Sequence, residues 1–258
     1  FDINEDSNIY AKVVSGFKSG GTSQRSANAE LFASGFEEED ILSYELGYKG
    51  ELWDRRARLN MAAFYMELDG LQSSVQTGST PGERDFLPID DNTIQGLELD
   101  LTLLLTERLS FSFNYGYLDT ELGEDSLDTP AGTFLFMDDF AYAPENSYTA
   151  SADYRVPVGN GVLGINLNYA YQDEVITSIN ASDTALIDDY SIWGAAASWS
   201  DISLGSMPGS LKFMLWGKNL GDEEYKTISI GAWSPFGASE VATFGDPRTY
   251  GLTMSYVY

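Results

Sequence analysis

The chain has 258 residues, with 14 Lys and Arg against 40 Asp and Glu and a net charge of −26. It contains no His and no Cys, which excludes Ser-His and Cys-His nucleophile pairs, disulfides and structural zinc of the Cys/His kind. The acidity argues against a nucleic-acid partner, because a phosphate backbone is bound by clustered Lys and Arg.

A hydrophobic fraction of 43% with 14% aromatics separates the chain from disordered acidic sequences. The opening Phe1-Asp2-Ile3-Asn4 does not read as a secretory signal, and no apolar run of about 18 residues reads as a membrane helix. A membrane β-barrel stays open, since its signal is weak per strand.

The dominant period is two. In chain order, candidate strands lie at 8–18, 40–52, 57–71, 97–105, 109–117, 145–157, 163–171, 188–200, 210–220 and 250–258. The clearest carry Leu97, Leu99, Leu101 and Leu103; Leu109, Phe111, Phe113, Tyr115 and Tyr117; and Leu163, Ile165, Leu167, Tyr169 and Tyr171. Each alternates with Ser, Thr, Asn, Asp, Glu, Gly or, at Ala170, Ala, so each has one apolar and one mostly polar face. The 188–200 segment is ambiguous, because Trp193 and Trp199 oppose Tyr190 and Ile192. No segment reads as a helix.

The connections alternate in length. Short turns fall at 53–56, 106–108, 159–161 and 205–209; long ones fall near 19–39, 72–92, 120–143, 174–187 and 221–246. If the last strand runs inward, all short turns share one end. A soluble sandwich has no reason for this, whereas outer-membrane barrels pair short periplasmic turns with long extracellular loops. Most segments also reach the roughly 9–11 residues of a tilted span. Tyr10, Tyr171, Tyr250 and Tyr258 at strand ends suit an interfacial aromatic girdle; ordinary β-propensity is the plainer explanation.

Two nucleotide-like motifs dissolve on inspection. Gly159-Asn160-Gly161-Val162-Leu163-Gly164 spells a dinucleotide fingerprint, but a strand follows it where a helix is required, and Asn-Gly is a hairpin signal. Gly16-Phe17-Lys18-Ser19 lacks the Gly-Lys pair and spacing of a phosphate loop. Asn180-Ala181-Ser182 fits a glycosylation sequon, which would carry little weight if the chain is a bacterial outer-membrane barrel. Acidic runs such as Glu37-Glu38-Glu39-Asp40, Asp138-Asp139 and Asp188-Asp189 fall in the long connections. They match no EF-hand spacing and read as a solvated anionic rim. No metal site and no cofactor is expected.

Several segments together resemble TonB-dependent outer-membrane receptors. These are Asn8–Gly21, Ser43–Gly50 with Arg58–Tyr65, Asn92–Asp100, Gly217–Tyr225 and Gly245–Leu252, in family order. The resemblance implies an all-β, antiparallel 22-stranded transmembrane barrel with an N-terminal plug that engages the TonB complex. Residues 1–258 would supply about ten strands of it, with no plug, as the C-terminal portion of the barrel. Phe1–Asp6 then reads as the end of a preceding strand and its turn. The implied function is energised uptake of a scarce substrate, with a ferric siderophore as the family's default, in the outer membrane of a Gram-negative bacterium. The implied partners are outer-membrane lipid, the barrel-assembly machinery, a metal chelate, and TonB through the plug.

Tyr250, Leu252, Met254, Tyr256 and Tyr258 resemble the C-terminal signal read by that assembly machinery; a plain lipid-facing strand fits them too. Candidate ligand contacts in the long loops are Arg25 and Arg84, as scarce cations, and Phe134, Phe136, Trp233 and Phe236, as apolar groups that could otherwise pack loop on loop. Two alternatives remain at this point. One is a self-contained ten-stranded outer-membrane barrel, either an enzyme or porin-like, and the other is a soluble β-rich binding protein.

Overall fold

The computed structural model describes residues 1–258 except 81, 182–183, 204, 206–207, 232–239 and 258. In chain order the elements begin with β1 (Asp2–Asn4), β2 (Ser7–Lys18), α1 (Ala29–Ser34), β3 (Glu39–Leu52) and β4 (Ala57–Asp69). The hairpin β5 (Leu71–Gln76) and β6 (Arg84–Ile89) precedes β7 (Asn92–Thr106) and β8 (Leu109–Glu121). Next come β9 (Ser126–Thr129), β10 (Gly132–Leu135), β11 (Asn146–Val158) and β12 (Gly161–Gln172). The chain continues through β13 (Val175–Ile176), β14 (Leu186–Ile187), β15 (Tyr190–Ser203) and β16 (Ser210–Lys218). It ends in β17 (Lys226–Ile230), β18 (Val241–Phe244) and β19 (Thr249–Val257).

Eleven strands form one antiparallel meander, in the order β1-β2-β3-β4-β7-β8-β11-β12-β15-β16-β19. All ten strands expected from the period of two lie in this sheet, within a few residues of their expected ends. β1 is the eleventh, where the opening residues suggest a preceding strand. The remaining strands make four small two-stranded sheets, β5-β6, β9-β10, β13-β14 and β17-β18. Each sits inside one of the long connections. Strands of two to six residues are too short to carry a readable period, so these stretches read as plain loops in the sequence. The helix α1 is likewise a correction. Its cap is Asn28, whose side chain accepts from the N–H groups of Glu30 and Leu31 at 2.9 and 3.1 Å, and Gly35 ends it at φ 70°. Six residues are too few for a helical stripe to show.

Cross-strand partners share a face, so the register sorts the side chains. Asn60 pairs with Asp100, Asp100 with Asn114, Asn114 with Thr149 and Asp153 with Asn166, which makes one polar face. Leu99 pairs with Tyr115, Tyr115 with Tyr148, Tyr148 with Tyr171, and Leu163 with Trp199, which makes the apolar one. This apolar face is open: Phe17 is 73%, Leu167 51% and Leu252 74% exposed. A water-soluble sandwich would bury such a face as its core, so the soluble reading fails here. Among the described residues no helix is long and apolar enough to cross a membrane, and the crossing elements are the strands.

The register also resolves the ambiguous segment. Tyr169 pairs with Trp193, their ring centroids 4.3 Å apart, so both Trp193 and Trp199 belong to the lipid-facing side. Tyr190 and Ile192 pair with Gln172 and Ala170 on the polar side. Tyr10 departs from the girdle expectation. It pairs with Gly47 and its hydroxyl donates to Glu45 at 2.7 Å, so it lies on the polar face with Lys12. A strand position near an end does not say which way a side chain points; parity within the sheet does.

Candidate functional site: polar face and loop layer

Two surfaces could meet a solute, the polar face of the large sheet and the layer of hairpins at one end of it. The polar face is concave. A single cavity of about 700 Å³ is lined by residues from β2 through β15, among them Tyr10, Asn60, Asp100, Asn114, Thr149 and Gln172. Its side chains are linked across strands. Lys12 pairs with Glu45 at 3.0 Å, Asn114 donates to Thr149 at 3.1 Å, Asn166 donates to Asp153 at 3.1 Å and Tyr190 donates to Gln172 at 3.0 Å. Such a ladder of amides, hydroxyls and carboxylates suits a water-filled passage.

The tightest packing lies outside the sheet. The buried apolar cluster is Val75, Leu87, Ile89, Leu122 and Phe136, with Leu31, Leu127, Phe134 and Ile179 packed against it. These residues come from four different long connections. With the strands turned toward lipid, the loop layer is where water-driven burial can act, because lipid tails are as apolar as Leu. Asn92 is fully buried at its base. Its amide donates to the carbonyls of Leu68 and Ile89 at 2.9 and 2.6 Å and accepts from the N–H of Gly123. One side chain thus ties three segments together.

The candidate residues read from the sequence meet in this layer. The N–H of Arg84 donates to the carbonyl of Arg25 at 2.9 Å. Arg25 Nε donates to the carbonyl of Gly82 at 2.8 Å. Arg84 Nε donates to Ser74 Oγ at 3.1 Å. The two cations therefore fasten the first long loop to the β5-β6 hairpin. Phe136 is 6% exposed and bridges to Asn180, while Phe134 lies half-buried against the same cluster. A buried ring acts on a solute through the shape of the loop that carries it. Trp233, Phe236 and Tyr258 lie outside the described residues. Tyr250, Leu252, Met254 and Tyr256 are exposed together on the apolar side of β19.

A second cleft, of about 680 Å³, opens beside this layer and had no single sequence signal. Asp119, Asp139, Glu145, Asp173, Glu174 and Asp189 line it with Tyr117 and Tyr171. They come from the tops of four strands and, for Asp139, from the connection between β10 and β11, so only the fold brings them together. Asp173 accepts from the Tyr171 hydroxyl at 2.6 Å and from the N–H and amide of Asn146, both at 2.8 Å. These bonds, the tyrosine's foremost, hold its carboxyl below the usual range. Glu124 moves the other way. Its partial burial, with Asp90 and Asp91 nearby, raises its pKa. Among the described residues no group of three acidic side chains is arranged to hold a metal ion.

The closing motifs have a physical role as well. Asn219 is buried at φ 47°. Its amide donates to the carbonyls of Glu223 and Asp246 at 2.8 and 3.1 Å and accepts from the N–H of Glu223. Arg248 pairs with Asp222 at 3.0 Å. The segments at 217–225 and 245–252 thus lock each other where the last loop leaves and re-enters the sheet.

An antiparallel meander with an exposed apolar face, a polar concave face and its four small two-stranded sheets in the long connections at one end defines an outer-membrane β-barrel protein. The family is settled by comparison: the model described as TonB dependent receptor-like, beta-barrel, matches residues 1–220, and the chain belongs to that family. Its location is the outer membrane of a Gram-negative bacterium. Among curated relatives, the ferric-pyoverdine 358 receptor of Pseudomonas putida is 22% identical over 94% of this chain and 27% of its own length. The ferric-pyoverdine M114 receptor PbuA of Pseudomonas sp. (strain M114) is 25% identical over 98% of this chain and 28% of its own. The chain therefore spans little more than a quarter of these relatives.

Solved structures share the fold. The ferric yersiniabactin uptake receptor FyuA of Yersinia pestis has a TM-score of 0.76 at 20% identity, over 100% of this chain and 36% of that one. The siderophore receptor PiuA of Acinetobacter baumannii has a TM-score of 0.68 at 20% identity, over 98% and 34%.

Proposed function

We propose that this chain is the C-terminal portion of the barrel of a TonB-dependent receptor that takes up a ferric siderophore. The observation that carries the reading is the one-ended architecture. A polar concave passage lies beneath an ordered layer of interlocked loops, on a sheet whose outer face is apolar. That arrangement captures a solute at the outside and conducts it, and it needs no bond chemistry. The family is one of receptors and transporters, and the missing His and Cys fit a protein that is not an enzyme.

Ligand capture falls to the loop layer and the upper polar face. Arg25, exposed beside Arg84, is a cation placed to meet a chelate. Phe134 and Phe136 set the shape of the layer, and Trp233 and Phe236 are further candidate contacts. Energy input comes from the TonB complex through a plug supplied by the rest of the receptor. The apolar residues of β19 meet outer-membrane lipid and serve as the signal for the barrel-assembly machinery.

Uptake of radiolabelled ferric chelates by iron-starved cells, with and without the gene, tests the reading. Saturable, gene-dependent uptake of at least one chelate is expected. Equal uptake across a panel of chelates would redirect the substrate to another scarce nutrient.

A further inference from the structure

The hairpins of the loop layer differ in what they hide. In β5-β6 the face carrying Ser73, Val75, Leu87 and Ile89 is buried, as expected for a hairpin packed in water. In β17-β18 the pattern is inverted. Ser229 is 1% exposed, while its neighbours Ile228 and Ile230 are 51% and 50% exposed. Ile230 pairs with Val241, which is also exposed, so these three side chains make one apolar face. The packed side is held by polar groups: Ser229 and Lys226 both donate to Glu240, at 2.5 and 2.6 Å. Lys226 also donates to the carbonyl of Leu186 in β14 at 3.2 Å. A small hydroxyl inside and two branched apolar residues outside is the wrong way round for a face that stays in water.

The position of this hairpin identifies what covers the face. β17 and β18 connect β16 to β19, and β19 is the edge of the large sheet. A strand edge in the hydrocarbon layer leaves unpaired N–H and C=O groups that only another strand can satisfy. In a complete receptor a strand therefore lies beside β19, and the loop above that strand rises next to β17-β18. The relatives supply ample chain for it, since this one covers 27% and 28% of their length. The loops already described pack side by side in the same manner, as β14 does against β17. We propose that the face formed by Ile228, Ile230 and Val241 is the docking surface for the extracellular loop of the strands that pair with β19. This seam closes the loop layer above the closing seam of the barrel. The inference rests on the barrel reading above.

The full-length receptor, assembled in the outer membrane with a photo-cross-linking amino acid in place of Ile230, tests it. Heat-modifiable migration on gels reports independently that the barrel has formed. The expected product is an intramolecular cross-link to a peptide of the receptor outside residues 1–258. A cross-link to residues 232–239, to a second copy or to lipopolysaccharide, or no product at all, overturns the docking while leaving the barrel reading intact. A receptor that never becomes heat-modifiable sinks both. As a second measurement, Ile228→Cys in intact cells should label with an impermeant maleimide about tenfold more slowly than Glu224→Cys. Equal rates refute the seam.

Discussion

Ile89 is fully buried at the centre of the loop cluster with Val75, Leu87, Leu122 and Phe136. Ile89→Ala removes three carbons from that cluster. At about 0.8 kcal/mol per buried methylene this loses roughly 2–2.5 kcal/mol, and the cavity left behind brings the total to about 3–4 kcal/mol. At about 1.4 kcal/mol per factor of ten, the population of opened loops should rise between a hundredfold and a thousandfold. The strands are held by their own hydrogen-bonded ladder and by lipid, so they should be untouched. Hydrogen exchange of the purified full-length receptor should show protection lost across β5, β6 and the tops of β7 and β8. Heat-modifiable migration should stay as in the wild type. The loops would also be cut by protease added to intact cells. Two outcomes refute this: protection falling by less than about tenfold, or the barrel melting together with the loops.

Further predictions follow from the two faces and the rim. Leu167→Lys places a charge mid-strand on the lipid side and should cost about 2–4 kcal/mol in refolding into lipid vesicles, whereas Asn168→Lys, its neighbour on the polar side, should cost much less; equal costs would mean the faces are misassigned. Asp173 should titrate below its ordinary value of 3.8. Because the folded pKa is depressed, its contribution is present above that ordinary value and is lost as pH falls through the depressed one. A carboxyl NMR midpoint at or above 3.8 would contradict this, and Tyr171→Phe should move the midpoint upward. Deleting 249–258 should abolish heat-modifiable receptor in the outer membrane; normal insertion of the truncated chain would argue against the role of β19 as an assembly signal.

Much of the fold was legible because a strand half in lipid and half in water must alternate strictly. The ten long strands carry that period over 9 to 15 residues, enough repeats to read. The short hairpins and α1 do not, since two to six residues hold too few repeats of either period to read. The site was legible only as a list of scarce residues. That Arg25 and Arg84 would share a backbone hydrogen bond, or that Phe136 would be buried against β5-β6, depends on contacts between loops about fifty residues and more apart. The acidic cleft was hidden for the same reason. Asp119, Glu145 and Asp173 are separate in the chain and adjacent at the sheet's upper edge.

By itself the sequence determined the strands, their one-ended connections and the absence of His and Cys chemistry. These are local properties, set by side-chain parity and composition. Only the tertiary structure decided which face of β15 holds Trp193, that Tyr10 points into the passage, and that the apolar core lies in the loops. Each of those is a question of register or of packing between distant segments. Parity fixes two faces within a strand but leaves open which is which; cross-strand pairing joins the strands into common faces and thereby distinguishes lipid from lumen. The charge of −26 has the same history. Composition states its size, and the fold gathers most of it at the end where a solute would arrive.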